Sequence, residues 1–187
     1  VTGYTYDAQN RILTFIDPAG KITAYTYDAA GNRSNQTETE GADVTATVYT
    51  YDALNRLLQT SESLNGTLSR TVDYAYDNNG NLLTVTSVTY TDGTAGSPVL
   101  EQSNTYDLTN QLIRTVTSDG TTVENTYNGD GLRVVKSVNG SATRFLYQYD
   151  KIVLELNALG DQTGRNVYGL NLISRTFGED TFFYFYN

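Results

Sequence analysis

The chain has 187 residues, a length that fits one ordinary domain, and a formal charge of −9 from 12 basic and 21 acidic residues. It contains no Cys and no His, which excludes disulfides, zinc-thiolate sites and Ser-His or Cys-His nucleophilic chemistry. The acidic balance argues against nucleic-acid binding, and no apolar run approaches the ~20 residues that span a membrane.

A short motif recurs along the chain: Tyr-x-Tyr-Asp, two further residues, and then Gly or Asn before a mostly apolar strand. Regular copies occupy 4–7, 25–28, 49–52 and 74–77, and degenerate copies begin with Asn at 104–107 and 125–128. Further copies are predicted at 147–150 and, cut short, at 184–187. Self-similarity of this kind indicates a repeat architecture.

The third residue after the motif's Asp is Gly or Asn in six copies, and these are the residues that tolerate positive φ. An Asp or Asn side chain can accept the backbone N–H two residues on, so it favours a type I turn. A following residue in the left-handed region then makes a three-residue hairpin with a bulge. The predicted turn residues are Asp7, Asn10, Asp28, Gly31, Asp52, Asn55, Asp77, Gly80, Asp107, Asn110, Asn128 and Gly131.

The connections between these hairpins also predict turns. Asp17–Gly20 and Asn157–Gly160 repeat the same chemistry, while Asn65-Gly66, Asp119-Gly120 and Asn139-Gly140 are typical of two-residue type I′ turns. Two stretches, 37–43 and 91–98, are predicted as longer loops. Because no segment shows a sustained helical period, we expect an all-β meander of antiparallel hairpins with roughly 14–16 strands.

Open twisted sheets rarely exceed about ten strands without curling or splitting, which leaves a sandwich, a closed barrel or a coiled wall. Only 39% of the residues are hydrophobic, and a sandwich would need a larger aliphatic inner face. The sequence therefore favours a curved or spiralling sheet, part of a hollow β-shell. The repeat runs into the last residues, so we also expect the chain to be a piece of a longer protein.

The stretches 27–33 (Tyr-Asp-Ala-Ala-Gly-Asn-Arg) and 51–57 (Tyr-Asp-Ala-Leu-Asn-Arg-Leu) resemble the YD or RHS repeat. That repeat is found in RHS polymorphic toxins, teneurins and the shell components of bacterial Tc toxins. The resemblance extends from Tyr4 to Asn187, and 167–175 is similar to the lead-in to the RHS-associated core. On this basis, 1–156 is predicted as hairpin repeats and 157–187 as the truncated start of a core-like region.

The resemblance implies a hollow shell around a toxic C-terminal domain, which an aspartic-protease-like motif beyond Asn187 would cut free. Asp17–Gly20 matches only the first letters of that motif, since Ala24 stands where its final Gly belongs. We therefore expect a non-enzymatic shell segment that encapsulates a toxin or effector, with no cofactor. Its expected partners are the remaining repeats and the cargo of the same longer chain, in a secreted or cell-surface bacterial protein.

Three other interpretations compete with this one. The tyrosines could form a carbohydrate- or protein-binding platform in an extracellular adhesion module, although cross-strand packing explains them as well; they are Tyr25, Tyr27, Tyr49, Tyr51, Tyr74 and Tyr76. The repeated Asp residues could act as acid and base, but Asn128 replaces one of them, so no catalytic residue is predicted. The stretches 77–81 and 128–131 resemble calcium loops, but Val88 and Asn139 stand where a bidentate Glu belongs, so no metal site is predicted.

Overall fold

The computed structural model describes residues 2–185, and within that range it contains eighteen β-strands and no helix. The predicted all-β fold of antiparallel hairpins is therefore confirmed. No helix that could cross a membrane is found in this part of the chain. The residues group into two compact units, Val1–Gln102 (unit 1) and Ser103–Asn187 (unit 2). The predicted boundary after residue 156 rests on the family resemblance and stays a prediction.

Unit 1 is an antiparallel meander in which each strand from β1 to β9 pairs with the next one along the chain. Its strands are β1 (Gly3–Tyr6), β2 (Ile12–Ile16), β3 (Ile22–Tyr27), β4 (Arg33–Glu40), β5 (Asp43–Tyr51), β6 (Leu57–Leu64), β7 (Thr67–Tyr76), β8 (Leu82–Thr91) and β9 (Thr94–Ala95). Strand β10 (Val99–Tyr106) contains the division between the units.

Unit 2 continues the same pattern, and its consecutive strands from β11 onward are again antiparallel. Its strands are β11 (Leu112–Thr117), β12 (Thr122–Tyr127), β13 (Arg133–Val138), β14 (Ser141–Gln148), β15 (Lys151–Leu156), β16 (Gln162–Tyr168), β17 (Leu172–Phe177) and β18 (Asp180–Phe183). The last predicted motif copy, at 184–187, includes residues 186 and 187, which lie outside the described residues.

Neither unit encloses a conventional hydrophobic core. Among residues 2–185 the buried side chains are Thr23, Thr71, Val72, Ser87 and Asn166, and only Val72 is apolar. Thr, Tyr and Val dominate the strands because they suit a pleated, half-buried surface. The strand ladders and the lateral contacts between neighbouring hairpins therefore hold each unit together, which makes the junctions between hairpins the decisive structural positions.

The prediction of two long loops is wrong, because both stretches contain strand residues. Residues 37–40 belong to β4, and the turn before β5 consists of Gly41 and Ala42 alone. Within 91–98, Asp92 and Gly93 form a tight turn with φ of 50° and 76°, followed by the short strand β9. The Asp92-Gly93 dipeptide is itself a typical hairpin signal, and β9 adds a strand to the number predicted.

The predicted type I′ turn at Asp119-Gly120 is also wrong. Thr117 takes the place that Asp holds in the other turns: its C=O accepts the N–H of Gly120 at 2.9 Å and its N–H donates to Thr121 O at 3.0 Å. Only Gly120 has positive φ, at 85°, whereas a type I′ turn needs positive φ at both central residues. The Asp119 carboxylate instead accepts Thr117 Oγ1–H at 2.6 Å.

The motif copy predicted at 147–150 has a different register from the others. Its strands close through a two-residue turn at Tyr149 and Asp150, and Tyr149 has φ of 58°. A regular turn beginning at Asp150 would need positive φ at Val153, which a β-branched side chain disfavours. It would also leave β15 only about two residues long before the Asn157 turn, so the hairpin closes earlier in the sequence.

Candidate functional site

The Asp turns share one hydrogen-bond pattern. In the first, Asn10 N–H donates to Asp7 O at 3.1 Å and Asp7 N–H donates to Arg11 O at 2.9 Å. Asp7 Oδ1 accepts the N–H groups of Gln9 and Arg11 at 2.8 and 2.9 Å, and Asn10 has φ of 60°. The structure places the other predicted turn residues in the same arrangement: Asp28 with Gly31, Asp52 with Asn55, Asp77 with Gly80, Asp107 with Asn110 and Asn128 with Gly131.

These contacts hold the turn carboxylates ionised. The backbone N–H of Arg11 lowers the pKa of Asp7, and the side-chain amide of Asn32 lowers the pKa of Asp28. Hydrogen bonds from the residue four positions after the Asp likewise lower the pKa of Asp52, Asp77 and Asp107. A carboxylate with a lowered pKa is poorly suited to act as a general acid near neutral pH.

Asn128 shows that charge is not needed at this position. Its Oδ1 accepts the N–H groups of Asp130 and Leu132 at 3.0 and 2.9 Å, which reproduces the contacts that a carboxylate makes in the other turns. The repeated Asp residues therefore serve as hydrogen-bond acceptors within turns. In 77–81 and 128–131, the stretches that resemble calcium loops, the Oδ1 atoms of Asp77 and Asn128 accept backbone N–H groups of the turn.

Five tyrosines just before hairpin turns form a contact that sequence reasoning missed. Tyr27 Oη–H donates to Ile12 O at 2.7 Å, and Ile12 is the first residue of the returning strand in the preceding hairpin. We call this contact, from a tyrosine hydroxyl to the first carbonyl of the preceding hairpin's returning strand, the tyrosine latch. Four more latches join Tyr51 to Arg33, Tyr76 to Leu57, Tyr127 to Leu112 and Tyr147 to Arg133, at 2.9 to 3.0 Å.

The latches lie where neighbouring hairpins stop pairing. Between β2 and β3 the ladder joins 14–16 to 22–24, so Ile12 has no backbone partner on β3. Between β6 and β7 the ladder ends at the Gln59–Asp73 pair, so it stops two residues short of Leu57. A backbone carbonyl left without a partner between strands costs free energy, and the phenol supplies the missing donor. Burial raises the pKa of Tyr51 and Tyr76, which keeps these hydroxyls protonated as donors.

Guanidinium groups cover several of the rings. Arg11 lies over Tyr27 at 4.3 Å from the ring centre, while its Nε contacts Asp7 Oδ2 at 2.7 Å. Arg56 lies over Tyr76 at 4.9 Å and contacts Asp52 Oδ2 at 2.6 Å. Each of these Arg side chains therefore connects its own turn to the tyrosine of the next hairpin. Arg33 on β4 lies over Tyr25 on β3 of its own hairpin, at 4.3 Å.

Successive turns also contact each other directly along this edge of unit 1. Asn32 Nδ2 donates to Asn55 Oδ1 at 2.9 Å, and Arg56 Nη1 donates to Asp77 O at 3.3 Å. The residue that follows Asn at the positive-φ position is a long Arg or Gln, as at Asn55-Arg56, whereas Asn or Leu follows Gly, as at Gly31-Asn32. The structural repeat of the turn edge is therefore two hairpins, which the simple motif does not reveal.

The six tyrosines proposed as a binding platform lie half-buried, whereas Tyr4 and Tyr6 on β1 are 52% and 56% exposed. Rings at Tyr25, Tyr27 and Tyr76 each have a guanidinium over one face. In unit 1 the Tyr4 ring stacks on Tyr6 and packs at a tilt against Phe15. The arrangement thus uses most of these tyrosines for contacts between hairpins.

Unit 2 replaces some tyrosines with asparagine. Asn125 Nδ2 donates to Leu112 O at 2.9 Å, the same carbonyl that Tyr127 contacts at 3.0 Å. Asn166 Nδ2 donates to Ile152 O at 2.9 Å across a junction between β15 and β16. The Asn-x-Tyr sequence at 166–168 repeats the pattern of 125–127 and could have identified this position. In both, the amide Oδ1 is buried and has no hydrogen-bond partner.

Within residues 2–185, no group of three or more acidic side chains is arranged to hold a metal ion. A cleft of about 570 Å³ in unit 2 is lined by amides, apolar groups and one cation, among them Gln148, Gln162, Arg165 and Asn166.

Known proteins share both the motif and the fold. Residues 6–45 match the family model of the RHS repeat. This stretch of the chain is thus similar to the RHS repeat. It is also 25% identical to the tRNA3(Ser)-specific nuclease WapA of Bacillus spizizenii, over 97% of this chain and 7% of that protein. The sequence resemblance on which the prediction rested is thus confirmed.

The chain shares its fold with part of a bacterial Tc toxin. It matches a chain of the Photorhabdus luminescens Tc holotoxin pore with a TM-score of 0.50 and 16% identity, over 96% of this chain and 12% of that one. A TcdB2-TccC3 crystal structure matches with a TM-score of 0.49 and 16% identity, over 96% and 12% of the two chains. The chain therefore spans a small part of each relative.

Proposed function

We propose that this chain is a structural wall segment of a longer RHS-repeat protein that encloses a C-terminal toxin or effector domain. The tyrosine latch carries this proposal. A sheet that separates a compartment from solvent must satisfy its backbone groups even where strands diverge, because open carbonyls attract water and foreign strands. The latches close these junctions in both units without a thick hydrophobic core.

The proposed wall has no enzymatic role of its own. Its Asp side chains accept backbone hydrogen bonds within turns, and an amide replaces one of them without changing those contacts. The RHS repeat and the fold shared with the Tc toxin chain support a structural role. By analogy, the whole protein would be secreted or exposed at a bacterial cell surface, with 157–187 leading into the core region that follows the repeats.

Protease protection of the cargo in the longer protein tests this proposal. The cargo should resist digestion that quickly destroys the same domain expressed alone. Joint replacement of Tyr51, Tyr76 and Tyr127 by Phe should accelerate cargo cleavage, whereas Tyr149→Phe, at a tyrosine that is 90% exposed, should not. Cargo that is cleaved as fast inside the intact protein as outside it would overturn the proposal.

A glycan-binding module is the competing function. It needs free aromatic faces, and the half-buried tyrosines with their Arg covers do not favour it. Glycan binding that disappears in a folded Tyr25→Ala variant, together with unprotected cargo, would reverse this ranking.

A further inference from the structure

Two Asn-Gly turns grip the preceding hairpin in the same way. Asn65 N–H donates to Val44 O at 2.8 Å, and Asn65 Oδ1 accepts Val44 N–H at 2.8 Å. Asn139 makes the same pair of contacts with Thr122, both at 2.8 Å. The two residues have φ of 50° and 49°, and both turns are exposed. Each Asn therefore extends the ladder of the hairpin that it ends, β5–β6 or β12–β13, by one strand-like pair.

The side-chain amide nitrogens differ between the two turns. Asn65 Nδ2 donates to Asp43 Oδ1 at 3.0 Å. The residue in the place of Asp43 is Thr121 in the other turn, and its hydroxyl donates to Asp119 Oδ2 at 3.1 Å. No acceptor within the described part of the chain is recorded for Asn139 Nδ2. The two Asn-Gly turns are of the same type, but within the described residues a carboxylate holds the side-chain amide of Asn65 and none holds that of Asn139.

Asn-Gly is the dipeptide most prone to spontaneous deamidation, because Gly leaves the following backbone nitrogen unhindered. That nitrogen loses its proton and attacks the Asn Cγ, the Cγ–Nδ2 bond breaks, and ammonia leaves with a proton from water. Water then opens the cyclic imide at either carbonyl, which gives Asp or isoaspartate. We propose that Asn139 is a site of this modification in the folded protein and that Asp43 protects Asn65 from it.

Asp43 opposes the reaction through charge and geometry. Its hydrogen bond to Nδ2 holds the amide plane, which must rotate before the Gly66 nitrogen can reach Cγ. Its negative charge also disfavours the deprotonated Gly66 nitrogen and the oxyanion that forms at Cγ, because like charges at short distance repel. At Asn139 the nearest acid in the matching segment is Asp119, whose oxygens already accept bonds from Thr117 and Thr121.

The products have different consequences for the grip on β12. Asp at position 139 keeps an oxygen that can accept Thr122 N–H. Isoaspartate inserts a methylene into the main chain after Cα, so the Cγ carbonyl joins the main chain and its oxygen is displaced from Thr122 N–H. The turn at Gly178 makes only the backbone half of this contact: Gly178 N–H donates to Thr163 O at 3.2 Å, and glycine has no side-chain oxygen to accept a hydrogen bond in return. Isoaspartate at position 139 should therefore loosen the start of β12.

Peptide mapping by mass spectrometry tests the proposal on the whole chain, incubated folded at mildly alkaline pH and, in parallel, in denaturant. The local sequences Leu-Asn-Gly-Thr and Val-Asn-Gly-Ser are similar, so the two rates should be alike in denaturant. In the folded chain Asn139 should deamidate faster than Asn65 by roughly tenfold, the size expected from one charge-assisted hydrogen bond. Equal folded rates, a faster Asn65, or no reaction at either site would overturn the proposal.

Two substitutions isolate the role of Asp43. Asp43→Ala removes both charge and acceptor and should bring the Asn65 rate close to that of Asn139. Asp43→Asn keeps the shape and an oxygen acceptor, should accelerate Asn65 less, and decides the question if the Ala variant does not fold. The Asn139 rate should stay constant in both variants. An Asn65 rate that is unchanged in a folded variant would refute the protection by Asp43.

Discussion

Units 1 and 2 build the same meander with different side chains. Unit 1 contains 5 basic and 12 acidic residues, a net charge of −7, whereas unit 2 contains 7 basic and 9 acidic residues, a net charge of −2. In unit 1, Arg11 and Arg56 tie an Asp turn to the tyrosine of the next hairpin. Unit 2 has Gln111 at the matching position and Asn128 in place of one turn Asp.

The comparison distinguishes the features that both units share from the contacts that vary between turns. Both units keep positive φ at the third position after the turn acceptor, and both close their junctions by a hydrogen bond to a backbone carbonyl. Ion pairs, by contrast, vary from turn to turn, and exposed pairs contribute little. Substitutions at the shared features should therefore have larger effects than substitutions at the Arg–Asp contacts.

Replacement of a turn glycine should have the largest effect. Gly80 has φ of 89°, and Gly80→Val forces a β-branched residue into the left-handed region, which should lower the free energy of unfolding by about 1–3 kcal/mol. A Cβ at Gly80 would meet only Arg56 Nη1, at 3.8 Å, so steric contact adds little. Chemical denaturation measures the change. Gly80→Asn is the matched control, since Asn55 occupies this region in the preceding turn, and a loss as large as that of Val would contradict the explanation.

Removal of a latch hydroxyl should have the next largest effect, and the loss of stability should differ between the two units. Tyr76→Phe leaves Leu57 O without its phenol donor and should destabilise the chain by about 1 kcal/mol. Tyr127→Phe should cost clearly less, because Asn125 Nδ2 continues to donate to Leu112 O at 2.9 Å. Combining Tyr127→Phe with Asn125→Ala should restore the larger loss. Equal effects of the two Tyr→Phe changes in denaturation would contradict the role assigned to Asn125.

Local chemistry accounts for what could be predicted from sequence. The all-β meander follows from Thr- and Tyr-rich strands punctuated by Asp-x-x-Gly or Asp-x-x-Asn, in which acceptor and positive-φ residue lie three positions apart. The latches were missed because their acceptor is a backbone carbonyl, 15 residues away for Tyr27 and 19 for Tyr76, and a carbonyl has no sequence signature. The register at Asp150 was wrong because the motif was matched without its third position, where Val153 disfavours the regular turn.

Exchange of the long side chain after the turn should have a smaller effect. Arg56→Gln gives unit 1 the residue of unit 2 and removes the cation over Tyr76, a contact worth about 0.5–1 kcal/mol at an exposed site. It also removes the contact with Asp52 Oδ2 at 2.6 Å. Gln111→Arg is the reverse exchange and should leave the unfolding transition unchanged or slightly raised. Destabilisation by Gln111→Arg as large as that caused by Arg56→Gln would show that the positions are not equivalent.

Acidification should have the smallest effect, and the Asp turns should report it residue by residue. Because the folded pKa of Asp52 is lowered, chiefly by the Arg56 N–H, the ionised carboxylate contributes stability above the ordinary pKa of about 3.9. That contribution is lost as the pH falls through the lowered value. The NMR amide shifts of Leu54 and Arg56 should therefore titrate with a midpoint below about 3.9.

The turn at Asn128 supplies the control for this titration. The N–H of Leu132 donates to Asn128 Oδ1, and the Asn side chain carries no carboxylate to titrate. The amide shift of Leu132 should therefore show no titration from its own turn acceptor over that pH range. Asn128→Asp should introduce one, again with a lowered midpoint, since the same backbone N–H groups would bind the new carboxylate. A midpoint at the ordinary pKa of Asp in that variant would mean that the turn does not bind a carboxylate as it binds the amide. Asp and Asn would then not be equivalent at this position, and the interpretation of the turns would fail.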